Sequence, residues 1–348
     1  MNCDNTSPTF HSNSLPSYRL KCVIFLMLVS NQLLATDPQF TQFYAAPLYM
    51  NPAFAGAIDC WRAGANYRSQ WSFSNQPYTT YSAYIDHNLA ATTRFKGGAG
   101  LYVFRDSPGA GNYTTYEIAP MLSYFVNINK KTTLRFGLQP SYHLKYGNFG
   151  SFTFGDQIDQ IRGPIFGTAD NGGIPSQLNF FDLSTGFLLF SDNYWVGLSG
   201  HHLLKVPFAF ENNRAAVPMK FSLHGGYKFY LESAGDYETS ISPVINIRSQ
   251  WANLQMDAGF YYQAKYLTLG LWYRGLPVIG GAGFNTDMVA ALVGFKWNQY
   301  KVGYSYDLTL SKMAYTYGSH EVSLIYEFCF YANKKQRPPL NVRQLPCP

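Results

Sequence analysis

The chain has 348 residues, of which 18% are aromatic and only 13% are charged, and its formal net charge is +6. The charged share is about half that of ordinary soluble domains, which argues against soluble packing. The positive charge is spread thinly, without a Lys/Arg block, so a nucleic-acid-binding surface is excluded. Beyond the leader, no apolar run reaches the roughly 18 residues of a transmembrane helix. With a mean hydropathy of −0.15, the composition favours a membrane wall that is apolar on one side only.

Residues 1–36 are predicted to be an N-terminal extension and a signal peptide for export. Arg19 and Lys21 precede the apolar stretch 22–34, which ends at Ala35, as the charged and apolar regions of a secretory signal do. A lipoprotein would carry a cysteine directly after this stretch, whereas Cys22 stands at its start. We therefore expect cleavage after Ala35.

Period-two alternation recurs from Trp61 to Phe330 and predicts a series of amphipathic strands. The last strand places a large apolar face opposite a mostly polar one: Val322, Leu324, Tyr326, Phe328 and Phe330 against Glu321, Ser323, Ile325, Glu327 and Cys329. Fourteen strands are predicted, near 61–72, 77–90, 96–105, 112–127, 132–146, 178–191, 193–205, 217–231, 236–249, 253–263, 266–275, 286–296, 300–311 and 319–330. Every second link is short, as when periplasmic turns alternate with longer outside loops. The sequence thus predicts an all-β fold: an antiparallel transmembrane β-barrel of the bacterial outer membrane, with both ends in the periplasm.

Two segments without strand alternation flank the predicted barrel, which covers 61–331. Residues 37–60 hold three prolines and many aromatic side chains, so we expect them either to plug the lumen or to lie in the periplasm. Residues 332–348 combine prolines with basic side chains, and they are predicted to be a flexible periplasmic tail.

The inward faces of the predicted strands carry balanced charges: Arg135, Lys145, Lys228, Arg248, Arg274 and Lys301 against Asp86, Glu238, Asp257, Asp307, Glu321 and Glu327. A pore that selects anions or cations is expected to show a surplus of one sign. Equal numbers of positive and negative inward side chains favour ion pairs across the lumen, because an unpaired charge in a confined interior is energetically costly. A passive porin or nutrient channel stays open as the alternative, and conductance would distinguish the two.

The sequence contains no recognisable cofactor-binding, metal-binding or catalytic pattern. His201 and His202 are neighbours on a predicted strand and should point to opposite faces, so they cannot both be lumen ligands. Cys60, Cys329 and Cys347 are an odd number without a CxxC pair, which indicates neither a disulfide scaffold nor a zinc site. An enzyme acting on lipids would need a Ser/His pair on the outer face that the sequence does not offer. It is therefore the least favoured functional class.

Several sequence blocks point to a known family when they are taken together. They are DPQFTQFYAAPLYMNPAFAG (37–56), YRSQW (67–71), GAGL (98–101), SDNYWVGLSGHHLLK (191–205), LHGGYKFY (223–230) and GYSYDLTLSKMAYTYGSHEVSLIYEF (303–328). The chain resembles the PorP/SprF family of outer-membrane proteins associated with the type IX secretion system. The blocks stand in the family's order, and the first and last are the most specific.

The resemblance implies a non-enzymatic barrel that works by associating with other proteins. Members of the family support the export or cell-surface anchoring of secreted adhesin-like proteins, including those of gliding motility. The implied partners are such a client, other type IX secretion components, a periplasmic peptidoglycan-binding protein and outer-membrane lipid. The residues we expect to contact partners are Asp37, Pro38, Gln39, Phe40, Asn51, Pro52, Phe54, Arg68 and Trp71. Aromatic side chains are typical of association surfaces, so part of 37–55 is expected to be exposed to a periplasmic partner.

Overall fold

The structure is a computed structural model of the chain. It describes residues 37–72, 77–91, 93–109, 113–147, 155–159, 163–164, 167, 177–204, 216–234, 237–251, 253–276, 285–311 and 317–328. The chain divides into two units, Met1–Thr36 and Asp37–Pro348. The first unit, which contains the predicted signal peptide, lies outside the described residues, as does the predicted tail 332–348.

The second unit is a closed antiparallel β-barrel of fourteen strands, and the predicted fold class is confirmed. The strands are β1 (Trp61–Gln70), β2 (Tyr78–Asn88), β3 (Gly97–Ser107), β4 (Tyr113–Asn127), β5 (Thr133–Gly147), β6 (Gln177–Phe190), β7 (Tyr194–His201), β8 (Lys220–Tyr227, continued as Phe229–Ala234), β9 (Tyr237–Gln250), β10 (Asn253–Ala264), β11 (Leu267–Leu276), β12 (Asn285–Trp297), β13 (Tyr300–Thr309) and β14 (Ser319–Phe328). Each strand pairs with its neighbours in sequence, and β1 pairs with β14 to close the barrel. The boundaries agree closely with the predicted ones; the largest difference is at β7, which ends at His201 rather than at 205.

The alternation that predicts the strands is also what orients them. In β5, Arg135 is 1% exposed, whereas its neighbours Leu134 and Phe136 are 36% and 40% exposed. Apolar side chains therefore cover the outer wall, where lipid is the solvent, and polar ones face the lumen. Among the described residues, no helix is long and apolar enough to cross a membrane.

The links between strands differ at the two rims of the barrel. One rim carries the links that follow β2, β4, β6, β8, β10 and β12, which are all short. The other rim carries the long links 148–176 and 202–219, and we call it the long-loop rim. Since bacterial barrels turn back sharply on the periplasmic side, the short-turn rim faces the periplasm. The N-terminal end of β1 and the C-terminal end of β14 lie at this rim.

Residues 37–60 form a plug that crosses the lumen from the long-loop rim to the short-turn rim. Asp37 contacts Lys220 at the start of β8, and the plug continues directly into β1 at Trp61. Within it lie a short helix, α1 (Pro47–Met50), and a 3-10 turn (Pro52–Phe54), both of which begin at a proline. Proline is favoured at such a first position because its nitrogen has no hydrogen to leave unpaired.

The hydrophobic core of the molecule lies between the plug and the wall. Phe43 packs edge-on against Trp272, with ring centroids 5.0 Å apart. Phe54 packs between Trp195 and His224, at 6.1 and 5.8 Å. Each fully buried side chain of this size contributes about 1.5–3 kcal/mol, so the plug's aromatic residues hold it in place by burial as well as by polar contacts.

Candidate functional site: the plugged lumen

The plug is tied to the long-loop rim by an ionic cluster around Asp37. The Asp37 carboxylate accepts hydrogen bonds from Lys220 Nζ at 2.6 Å and from His202 Nε2 at 2.9 Å. The other ring nitrogen of His202 lies 2.7 Å from Asp182. Because both nitrogens face carboxylates, the imidazole is held as a cation that bridges plug and wall.

The ionisation of the cluster follows from its charges. Burial by itself would raise the pKa of Asp37, but the positive charges of Lys220 and His202 outweigh it and hold the pKa well below its usual range. Burial would likewise lower the pKa of His202, yet Asp37 and Asp182 raise it to about 9. Both groups are therefore charged at neutral pH, and the contact is an ion pair.

The expectation that His201 and His202 face opposite sides is wrong. His201 ends β7 and lies in the lumen, where its Nδ1 is 3.2 Å from Ser184 Oγ. His202 follows the strand with a φ of 57°, in the left-handed region, and this turn brings its ring back into the lumen. Strand alternation applies only while the backbone stays extended.

A second cluster of buried charges, around Glu321, holds the plug at Thr41 and Gln42, further into the lumen than Asp37. The Glu321 carboxylate accepts the backbone N–H groups of Thr41 and Gln42, at 2.8 and 3.0 Å. Arg68 reaches Asp307 at 2.7 Å and Glu321 at 3.1 Å. Asp307 and Glu321 thus share one guanidinium. Glu321 also binds two amides of the plug, and Asp307 accepts a hydrogen bond from the Thr41 hydroxyl at 2.9 Å, so the wall's charges are satisfied partly by the plug itself.

Wall side chains and carbonyls bind the middle of the plug through its backbone and Asn51. Asn51 Nδ2 donates to the carbonyl oxygens of Phe187 and Leu198, at 3.0 and 3.3 Å, while its Oδ1 accepts the N–H of Ala53. Ser199 Oγ donates to the Met50 carbonyl at 2.8 Å. Asn51 is fully buried, which explains why an amide, able to donate and accept, stands here.

Two arginines bind the plug near the short-turn rim. Arg135 donates to the carbonyl oxygens of Ala53 and Ala55, at 3.1 and 2.6 Å. Arg62 pairs with Asp86 at 2.9 Å, and the same carboxylate accepts the N–H of Gly56 at 2.7 Å. Arginine suits this role because its fork of donors can bind several carbonyl and carboxylate oxygens at once.

Glycines in the wall make room for the plug. A Cβ added at Gly137 would lie 2.2 Å from the backbone nitrogen of Ala53, and one at Gly186 would lie 1.9 Å from Asn51 Oδ1. Gly98 of the Gly-rich β3 start lies against Gly56, whose φ of +61° itself favours glycine. These positions allow close backbone approach rather than catalysis.

The predicted inward charges take several roles in the structure. Arg248 and Arg274 both bind Asp257, the latter at 2.7 Å, and Lys301 pairs with Glu327 at 3.2 Å. Lys145 lies over the Phe180 ring at 5.2 Å, and Lys228 interrupts β8 and lies over Tyr230. The side chain of Glu238 lies outside the described residues. The remaining members, Arg135, Asp86, Asp307 and Glu321, bind the plug as described above.

Sequence reasoning missed inward charges at the barrel ends. Arg62 belongs to the inward face of β1, and its alternation with Gly64, Asn66 and Arg68 was a usable signal. Asp182 lies within β6 and alternates with the buried Ser184, which was a second usable signal. Lys220 is the first residue of β8, where alternation is weak.

The structure places most of the residues expected to contact partners inside the barrel. Phe40, Asn51, Pro52, Phe54 and Arg68 are buried, since the plug and the wall cover them. Their side chains therefore present no surface to a periplasmic partner, which departs from the expectation. A second group is only half-buried and lies at the long-loop rim: Asp37, Pro38, Gln39 and Trp71. Gln39 accepts a hydrogen bond from Arg248 at 3.1 Å, and the Trp71 ring packs at a tilt against the ring of Tyr78, with centroids 4.8 Å apart.

Cys60 is disulfide-bonded, and its partner lies outside the described residues, as do Cys329 and Cys347. The sequence indicated no disulfide scaffold and left the state of the individual cysteines open; for Cys60 that state is a disulfide. Within the part of the chain that the structure describes, no group of three or more His, Cys, Asp or Glu side chains is placed to hold a metal ion.

Fold and site together define a plugged outer-membrane β-barrel. The chain belongs to the type IX secretion system membrane protein PorP/SprF family, whose model matches residues 33–326. The outer membrane is accordingly its location, and other type IX secretion components are its implied partners. Family and fold point to a secretion-system membrane protein rather than to a known enzyme class.

Solved structures with a similar fold are outer-membrane channels. The monoaromatic hydrocarbon channel CymD is 12% identical, with a TM-score of 0.45, over 82% of this chain and 94% of that chain. The P. putida toluene transporter TodX is 12% identical, with a TM-score of 0.44, over 82% and 95%. A mutant of the Rh. blastica porin is 10% identical, with a TM-score of 0.34, over 77% and 99%. These likenesses concern the fold alone. No curated protein matches the sequence.

Proposed function

We propose that this chain is a non-enzymatic barrel partner of type IX secretion that supports the export or surface anchoring of a secreted, adhesin-like protein of the gliding-motility type. The observation that carries the proposal is the plug. It occupies the lumen from rim to rim and satisfies buried charges of the wall at three levels, around Asp37, Glu321 and Asp86. Such a barrel acts as a scaffold, since a passive pore needs an open path.

Family membership supports the association role, and the geometry indicates where contacts form. The side chains at Asp37, Pro38, Gln39 and Trp71 are half-buried at the long-loop rim, where a surface client would be held. The short-turn rim carries a stacked aromatic row, Trp61 with His87 at 4.4 Å and with Phe328 at 6.1 Å. A periplasmic partner, such as a peptidoglycan-binding protein, would meet that rim, and lipid covers the outer wall.

Cell-surface labelling tests the proposal without knowledge of the client. A deletion strain is complemented with the wild-type gene, with a variant lacking 37–55, or with Trp71→Ala. Surface proteins of intact cells are then tagged with an impermeant biotin reagent and identified. We expect the deletion strain to lose one or a few secreted proteins from its surface. The plugless variant, provided it is inserted in the outer membrane, should fail to restore them. An unchanged surface profile in all strains contradicts the proposal.

Conductance in planar bilayers separates the scaffold from a passive porin or nutrient channel. The wild-type barrel should be nearly silent, whereas the variant lacking 37–55 should conduct. Steady open-channel currents from the wild-type protein would instead support the channel.

A further inference from the structure

One arginine of the barrel wall faces the membrane. Arg105 of β3 is exposed, whereas the other arginines of the described strands are buried or half-buried in the lumen. Leu101 and Val103 precede it on the same outer face and are 40% and 39% exposed, while the alternating Tyr102 and Phe104 are buried. A cation on the lipid-facing wall is costly at the centre of the bilayer and tolerated near its surfaces. Arg105 lies two residues before the end of β3, close to the long-loop rim, so its guanidinium is at the head-group level of the outer leaflet.

Three tyrosines lie in one row with this arginine across four neighbouring strands. The strand registers pair Tyr67 with Tyr81, Tyr81 with Arg105, and Arg105 with Tyr116, and we call these four residues the Arg105 row. The tyrosines are 38%, 44% and 42% exposed in chain order, so the whole row is on the outer wall. The guanidinium carbon of Arg105 lies 5.6 Å from the ring centroid of Tyr81 and 5.9 Å from that of Tyr116. These cation–π contacts hold the guanidinium between the two flanking strands.

Within the part of the chain that the structure describes, no carboxylate forms an ion pair with Arg105. The adjacent Asp106 turns to the opposite face, where it accepts a hydrogen bond from Thr80 Oγ1 at 2.7 Å. The N–H donors of a guanidinium form a planar fork, which can bind two oxygens of a phosphate at once while a ring packs beside it. Tyr81 and Tyr116, at the same register on the flanking strands, carry hydroxyl groups that can also donate. Such a set of donors fits a phosphate at the membrane surface.

We propose that the Arg105 row binds a phosphate group of lipid A, the glycolipid anchor of the lipopolysaccharide in the outer leaflet. The arginine forms charge-assisted hydrogen bonds to the phosphate oxygens, and its place near the long-loop rim selects a lipid of the outer leaflet. The exposed Leu101 and Val103 continue the outer face towards the centre of the membrane, where they contact the acyl chains of the same lipid. The row lies on the outer wall, so lipid binding here is independent of the plugged lumen and of any client.

Native mass spectrometry of the full-length barrel, delipidated in mild detergent and titrated with phosphorylated lipid A, tests the site. We expect Arg105→Gln to bind lipid A about tenfold more weakly than the wild type, because hydrogen bonds to a charged group are lost. Arg105→Lys should be intermediate, since lysine keeps the charge but not the planar fork. Arg94→Gln is the matched control and should bind like the wild type, because Arg94 is exposed on the link between β2 and β3, at the short-turn rim.

Folding of each variant is checked by heat-dependent gel mobility. If Arg105→Gln does not fold, the Tyr81→Leu/Tyr116→Leu variant carries the test, and it should bind lipid A several-fold more weakly because both rings beside the guanidinium are lost. In vesicles of phospholipid alone, which contain no lipid A, substitution of Arg105 should leave unfolding by urea nearly unchanged. Equal affinity of the wild type and the folded variants for lipid A overturns the proposal.

Other ligands separate the possible sources of the phosphate. Dephosphorylated lipid A should bind the wild type no better than phosphorylated lipid A binds Arg105→Gln, and inorganic phosphate should not displace the lipid. Phosphatidylglycerol should bind more weakly than lipid A; equal affinity for the two would overturn the assignment to the glycolipid. Loss of a co-purifying protein from Arg105→Gln, with lipid A binding unchanged, would identify the row as a protein contact and would also overturn the proposal.

Discussion

Removing the guanidinium of Arg68 should be the most damaging single change in the lumen that leaves the plug intact. In Arg68→Met a flexible apolar chain of similar length replaces the arginine, while Asp307 and Glu321 stay in place. These carboxylates are 1% and 0% exposed, and the arginine pairs with both, at 2.7 and 3.1 Å. The variant therefore leaves two buried negative charges with one fewer partner.

The expected loss of stability follows from the burial of this cluster. Removing one member of a buried ion pair costs about 3–5 kcal/mol, because the remaining charge is uncompensated. Glu321 keeps the amides of Thr41 and Gln42, so we expect the lower half of that range. Glu321→Gln should cost less, since Arg68 still pairs with Asp307. The loss of stability in the Arg68→Met/Glu321→Gln double variant should be smaller than the sum of the two single losses. The double variant no longer contains one of the two carboxylates that Arg68→Met leaves without their arginine.

The measurement is urea-induced unfolding from phospholipid vesicles, followed by tryptophan fluorescence and by gel mobility. Arg105→Met is the matched control, since Arg105 is an exposed arginine of β3 that lies over the rings of Tyr81 and Tyr116, at 5.6 and 5.9 Å. Such surface changes usually fall within about 0.5 kcal/mol. The reasoning is refuted if Arg68→Met unfolds no earlier than Arg105→Met, or if the single and double variants are strictly additive.

Three further predictions concern the plug and the wall. Gly137→Val should prevent normal seating of the plug, because the new Cβ lies 2.2 Å from Ala53; hydrogen exchange of the plug should rise, whereas Gly155→Val, at an open position, should change nothing. Exchange protection of the segment after Asp37 should be greatest near neutral pH. The raised pKa of His202, about 9, means that its contribution is present below its ordinary value of 6.5 and lost as pH rises through 9. The lowered pKa of Asp37 means that its contribution is lost only well into the acid range; in His202→Asn the alkaline loss should disappear. Lys301→Gln should change stability by less than about 1 kcal/mol, since its pair with Glu327 is partly exposed, and a change as large as that of Arg68→Met would contradict the distinction between buried and exposed pairs.

The sequence predicted the wall well because a two-sided environment imposes period two. Strands such as β5 and β14 must present apolar residues to lipid and polar residues to the lumen, and that constraint is visible without any contact being known. The same constraint gave the inward positions of Asp257, Arg274 and Glu321. The number of strands followed, because each reversal of the wall needs a turn.

The path of the plug was not predictable, because a segment that is buried on all sides shows no regular alternation of apolar and polar residues in its sequence. Phe40 and Phe54 look alike whether they fill a lumen or dock on a partner, and only the structure shows them buried. An unused signal lay in the wall: Gly98, Gly137 and Gly186 stand at places where an inward side chain would be expected. Inward glycines indicate that another backbone passes close by.

The polar contacts of the plug have a consequence for the order in which the protein is built. The wall carboxylates Asp86, Asp307 and Glu321 accept hydrogen bonds from Gly56, Thr41 and Gln42 of the plug. A hollow intermediate would thus hold desolvated carboxylates with missing donors, which is a costly state. We expect the nascent sheet to wrap around its own N-terminal segment and to complete the ring last, so that biogenesis and closure are a single cooperative event.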